Sequence, residues 1–155
     1  MVFNPVLNEL FTAVRGLGAE LNGVPIHVSG ELDISKALIA TEIGVTRDEQ
    51  TISAIFDRVQ SCTSVSRSIR ASGSCAMNMC GVAMGRLDAY YEVGFGGPWD
   101  VAGASLIVEE AGGMMLDTKG STFDIMSRRV LCGSPAIALK IAEALKDCKT
   151  SPHEP

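Results

Sequence analysis

The chain has 155 residues, 46% of them hydrophobic, enough to bury the core of one domain and too apolar for general disorder. Thirteen Lys and Arg against eighteen Asp and Glu give a net charge of -5, and Arg128-Arg129 is the only basic pair of note. That balance excludes a basic nucleic-acid surface, no apolar run is long enough to cross a bilayer, and five cysteines without CxxC spacing fit reduced thiols in a soluble, cytoplasmic protein.

Val2 to Val28 reads as a meander of strands, punctuated by Asn8-Glu9, Gly16-Leu17-Gly18 and Asn22-Gly23. Asn-Gly is a hairpin signal because both residues tolerate positive φ. Val2-Phe3-Asn4-Pro5-Val6 already has the character of a strand interior. A polar stretch from Ser29 to Lys36 precedes Ala37 to Thr41, short and apolar enough for a buried strand. A helix is predicted next, with Thr46 as cap, Glu49 at the capping-box position, and Ile52, Ile55, Phe56 and Val59 as its apolar stripe. Ser66 to Ala71 reads as a strand, Gly73-Ser74 opens a second helix and Gly85 ends it.

Leu87 to Tyr91 reads as extended, followed by the glycine-rich loop Gly94 to Pro98. A helix from Val101 to Glu110 stops at Gly112-Gly113. Met114 to Asp117 and Arg129 to Cys132 are predicted strands with a Lys119-Gly120 turn between them, and a last helix runs from about Ser134 to Lys146. Strands alternating with helices predict layered α/β or α+β architecture in one compact unit over residues 1–149, with 150–155 as a polar tail.

The most informative stretch is Trp99-Asp100-Val101-Ala102-Gly103-Ala104 with Glu109-Glu110-Ala111-Gly112-Gly113 downstream. Asp100 stands where a loop meets a helix, which on physical grounds alone favours an N-cap. Glu92 reads either as a solvated strand-end acid or as an acceptor for neighbouring hydroxyls. Gly73-Ser74 reads as a capped helix start whose free N–H groups also suit an anion. Glu109 and Glu110 are expected to be solvated, Cys75 and Cys80 to be small core residues, His27 to face solvent, and Trp99 to be packing that fixes the turn before Asp100.

The Trp-Asp-Val-Ala-Gly-Ala stretch with its Glu-Ala-Gly-Gly resembles the C-terminal signature of the inositol monophosphatase family. Asn4-Pro5-Val6, Thr12 to Gly16, Arg70 to Ala76, Asn78-Met79-Cys80, Asp88 to Glu92 and Phe123 to Val130 also resemble it, in the family's order. The resemblance implies that family's layered α-β-α-β-α fold, of which this chain would be the C-terminal part. It also implies Mg²⁺-dependent hydrolysis of inositol monophosphate, with Asp100 as a metal ligand. Gly73, Ser74 and Cys75 would be the substrate-contacting turn, Glu92 the acceptor for a substrate hydroxyl, and the full-length protein a homodimer.

The family draws its other metal ligands from a Glu pair and an Asp-Pro-x-Asp-Gly-Thr motif, both upstream of the Asn-Pro-Val strand. No Asp-Gly-Thr or Asp-Pro occurs among the 155 residues, so no complete catalytic set is expected. The expectation is a truncated phosphatase, inactive or weakly active alone. The Gly-Phe-Gly-Gly-Pro loop also resembles relatives acting on L-galactose 1-phosphate, and a non-catalytic fragment pairing with full-length subunits is the reading from another class.

Overall fold

A computed structural model describes all 155 residues. The first layer is an antiparallel sheet of β1 (Val2–Asn4), β2 (Glu9–Val14), β3 (Gly18–Leu21) and β4 (Val24–Ile26), in that order. The Asn22-Gly23 turn between β3 and β4 has φ of 52° and 79°, the pair of positive values that an Asn-Gly hairpin supplies. Asn22 also ties the meander together, accepting from the Leu10 N–H at 2.8 Å and donating to the Asn8 carbonyl at 2.9 Å.

The second sheet joins β5 (Leu38–Thr41), β6 (Ser68–Arg70), β7 (Ala89–Val93), β8 (Met114–Leu116) and β9 (Arg129–Gly133) in the order β6-β5-β7-β9-β8. β5 is parallel to both β6 and β7, whereas β7–β9 and β8–β9 are antiparallel. The parallel pairs require crossovers, supplied by α1 (Glu49–Val65) between β5 and β6 and by α2 (Cys75–Ala83) between β6 and β7. With α3 (Pro98–Glu110) and α4 (Pro135–Leu145), the layers run sheet, α2/α3, sheet, α1/α4.

Two cores hold these layers together. Phe11 and Ala19 of the first sheet meet Met79, Val82, Val101, Ile107 and the inward faces of Tyr90 and Val130 in one. Ile39, Tyr91 and Leu131 meet Cys62, Ile137 and Ile141 in the other. Phe11 is fully buried, so truncating it to Ala is expected to cost about 3–5 kcal/mol.

The helix expected from Thr46 is displaced and turned. Its cap is Asp48, whose Oδ1 accepts from the Thr51 N–H at 3.0 Å. Its buried positions are Thr51, Ala54, Arg58 and Cys62, while Phe56 of the apolar stripe is 58% exposed. The polar residues turn inward because residues 150–155 fold back onto them. Thr51 and Ser151 share a buried hydroxyl contact of 2.7 Å, and Arg58 grips Glu154 with two N–H donors at 2.5 and 3.1 Å.

Candidate functional site

Open sheets with crossovers on both faces form a crevice at the carboxyl ends of their strands where the connections diverge. Here α1 leaves β5 toward the α4 face, while α2 leaves β6 toward the α3 face. The crevice so formed is a cavity of about 440 Å³ whose wall includes Glu42, Gly73, Ser74, Cys75, Glu92 and Asp100. All five candidate residues from the sequence therefore line one cleft, although they come from three separate chain segments.

Gly73 has φ of 87°, a left-handed conformation that makes glycine the natural residue at the turn into α2. Ser74 caps that helix, its Oγ accepting from the Met77 N–H at 3.3 Å. Cys75 begins the helix inside the cleft, where burial pushes its thiol up to about 12. It is a protonated thiol at neutral pH, which removes it as a nucleophile.

Glu92 is only 7% exposed and accepts a hydrogen bond from the Tyr90 hydroxyl, itself buried in the sheet. Burial raises the Glu92 carboxyl above its ordinary value, the Tyr90 donor opposes this, and the nearby charges of Glu42 and Asp100 add to the rise.

Asp100 is not the cap of α3. The cap is Gly97, and Asp100 is three residues further on, its Oδ2 accepting from the Gly97 N–H at 3.1 Å. That bond fixes the carboxylate direction at the helix start. The loop leaves no room for side chains. A Cβ at Gly96 would stand 2.7 Å from Asp100 Oδ2, and one at Gly97 would stand 2.6 Å from the Trp99 ring. Trp99 is 76% exposed, so its ring covers Gly97 from the solvent side instead of entering the core. Arg128 secures the loop by donating to the Phe95 carbonyl at 2.6 Å and the Gly94 carbonyl at 3.1 Å.

Glu42 is a site residue that pattern reading missed. Its Oε1 accepts from the N–H groups of Ser72 and Gly73 and from Asn78 Nδ2, at 2.8, 2.7 and 2.8 Å. It fixes the turn into α2 from thirty residues away, and only its position just after a buried strand hinted at a crevice location. Glu110 also departs from expectation: it accepts from the Gly16 and Gly18 N–H groups at 2.9 and 3.0 Å, clasping the β2–β3 turn to α3. His27 is exposed and Cys80 lies in the core, as expected.

The donor set does not amount to a magnesium site. Nowhere do three or more His, Cys, Asp or Glu side chains converge closely enough to hold a metal ion. One Oδ2 of Asp100 is engaged by the backbone, and Glu92 is engaged by Tyr90. Mg²⁺ requires near-octahedral oxygen ligation and releases water reluctantly, so these residues alone do not meet its needs.

The two sheets, the helix pairs packed on them and the acid-lined crevice at the strand ends give a layered α-β fold. The sequence profile of the inositol monophosphatase family matches residues 1–150, and the chain belongs to that family. It is similar to tomato inositol monophosphatase 2, at 55% identity over 84% of this chain and 49% of the relative. It is also similar to human inositol monophosphatase 1, at 42% over 94% of this chain and 53% of the relative. Among solved structures, the inositol monophosphatase of Anabaena superposes with a TM-score of 0.85 at 31% identity, covering 94% of this chain and 57% of that one. SaIMPase-II with inositol monophosphate bound superposes with a TM-score of 0.79 at 25% identity, over 92% and 54% of the respective chains. The chain thus spans about half the length of the curated relatives it matches.

Proposed function

We propose that this chain carries the substrate-recognition half of a Mg²⁺-dependent inositol monophosphate phosphatase, a phosphoric monoester hydrolase. The observation that carries the reading is the convergence of the Gly73–Cys75 helix start, Glu92 and Asp100 on one cleft. The N–H groups at the start of α2 offer donors to a phosphate, and the carboxyl of Glu92 offers an acceptor to a ring hydroxyl. That pairing of an anion donor set with a hydroxyl acceptor suits a phosphorylated polyol.

Asp100 would hold one position on a metal ion, with further carboxylates supplied from outside these 155 residues. The ion, when bound, would activate water and neutralise the leaving oxygen. What this chain contributes is orientation: Gly97 aims Asp100, Tyr90 aims Glu92, and Glu42 aims the turn at Gly73. The isolated chain is therefore expected to be inactive or weakly active.

A second reading, pairing with a full-length subunit, is favoured by the outer face of the first sheet. Phe3 and Val14 there are 53% and 59% exposed, and β1 has an unpaired edge within the sheet. No helix of the chain is long and apolar enough to cross a membrane; the proposed setting is the cytoplasm.

The recognition reading is tested by titrating inositol 1-phosphate into the chain with Mg²⁺ present while following backbone amide chemical shifts. Saturable changes at Gly73, Ser74 and Cys75 that weaken in Glu92→Gln are expected. Equal binding by Glu92→Gln would remove Glu92 from recognition, and no change at the α2 start would refute the proposed phosphate position.

A further inference from the structure

The cleft described above is lined by Glu42, Glu92 and Asp100 and by no cation. Elsewhere the charge pattern reverses. Four of the thirteen basic residues of this net-acidic chain, Arg58, Lys119, Arg129 and Lys146, line a separate cavity of about 330 Å³ between α1, α4 and the turn after β8. The hydroxyl-bearing residues Thr118, Thr150 and Ser151 share its wall.

Three carboxylates and the Pro155 carbonyl, which accepts from Arg129 Nη1 at 2.9 Å, answer these four cations. Glu154 lies on Arg58, whose side chain is only 8% exposed, and Asp117 accepts from Arg129 Nε at 2.8 Å. Lys119 has no ion pair, and Lys146 reaches only Glu143, at 3.8 Å on the exposed side of α4. The cavity therefore keeps one ammonium with no partner, Lys119, and one held only by a long surface contact, Lys146, an excess of positive charge that suits a phosphate. Ammonium groups, together with the Arg58 fork once Glu154 is displaced from it, are a donor set that tetrahedral phosphate oxygens accept from.

We propose that this cavity is a second site, for a small phosphate dianion, and that the carboxylate of Glu154 is the chain's own occupant of its Arg58 position. The segment carrying Glu154 also connects it to the cleft. His153 to Pro155 and Ile43 to Thr46 line a common cavity of about 150 Å³, and Ile43 to Val45 line the cleft as well. A ligand that displaces Glu154 would thus act on the wall of the first site through residues 153–155. The proposal stands on the basic cavity alone and does not depend on the reading of the cleft.

The probe is inorganic phosphate, titrated into the full 155-residue chain at constant ionic strength and followed by backbone amide chemical shifts. Saturable shifts at Lys119 and Ser151 are expected, with affinity reduced by roughly tenfold or more in the double variant Lys119→Ala/Lys146→Ala. Both lysines are exposed, so this variant tests the site without disturbing the core. In Glu154→Gln, where the internal competitor loses its charge, phosphate is expected to bind more tightly. It should also raise the melting temperature more than in the parent chain. Shifts that never saturate, shifts confined to Gly73–Cys75, or unchanged affinity in the lysine double variant would overturn the proposal.

Discussion

Replacing Glu92 with Gln keeps the side chain's shape and its acceptor for the Tyr90 hydroxyl but removes a charge from a position 7% exposed. Burial together with the charges of Glu42 and Asp100 raises the folded-state carboxyl above its ordinary 4.5. The unfolded chain, with no such environment, releases that proton first as pH rises. Stability contributed by this group is therefore full at low pH and declines once the unfolded carboxyl ionises, until the folded one ionises as well. Holding a buried carboxylate beside two like charges costs on the order of 1–3 kcal/mol. Each kcal/mol recovered corresponds to roughly 2–4 °C in melting temperature for a domain of this size. Thermal unfolding of both proteins across about pH 4 to pH 8 gives the stability difference of Glu92 with its coupled neighbours Glu42 and Asp100, since the titrating groups remote from it are common to the pair and cancel. Near zero at the acid end, that difference should favour Glu92→Gln increasingly toward neutrality, while inositol 1-phosphate binding weakens. A difference independent of pH, or one favouring the parent chain at neutral pH, would refute the account of Glu92 as a charge stored for recognition.

Other substitutions separate positioning from stability. Asp100→Ala removes the acceptor for the Gly97 N–H and is expected to cost about 0.5–1 kcal/mol in urea unfolding, whereas Asp100→Asn retains an acceptor and should cost less. Gly96→Ala would push a methyl against Asp100 Oδ2 and is expected to displace the 94–98 loop, detectable as altered Trp99 fluorescence. Glu42→Ala leaves the Ser72 and Gly73 N–H groups without their acceptor. It should lower protection of those amides from hydrogen exchange while leaving the β2–β3 turn unchanged. Glu110→Gln probes the clasp on that turn. The Gly16 and Gly18 donors lower the Glu110 carboxyl, so its stabilising effect is present above the unfolded pKa and fades as pH falls through the folded one. The parent and Glu110→Gln melting temperatures should therefore converge in acid.

What could be read from the sequence was local. The Asn22-Gly23 turn and the Gly73-Ser74 helix start are set by φ preferences and capping within a few residues, and both occur as expected. Asp100 was legible as an acid at a loop–helix junction, but its place in the first turn of α3 and not at the cap depends on Gly96 and Gly97 leaving space for it. Glu42 could not be read, because its role is a contact with Ser72 and Gly73 that exists only once β5 and β6 pair. The same limit explains α1. Ile52, Ile55, Phe56 and Val59 have helical spacing, yet the side facing inward is set by Ser151 and Glu154 arriving from the far end of the chain. The clasp made by Glu110 is illegible for a related reason, since its partners lie in a turn more than ninety residues earlier.

The central claim is that a recognition surface is present here without the carboxylates needed to hold catalytic metal. Purified chain incubated with inositol 1-phosphate and Mg²⁺, with phosphate release measured beside a full-length relative, addresses it most directly. The account predicts release near the enzyme-free background. Turnover comparable to the full-length relative, abolished by Asp100→Asn, would contradict it by showing that these 155 residues assemble a working metal site.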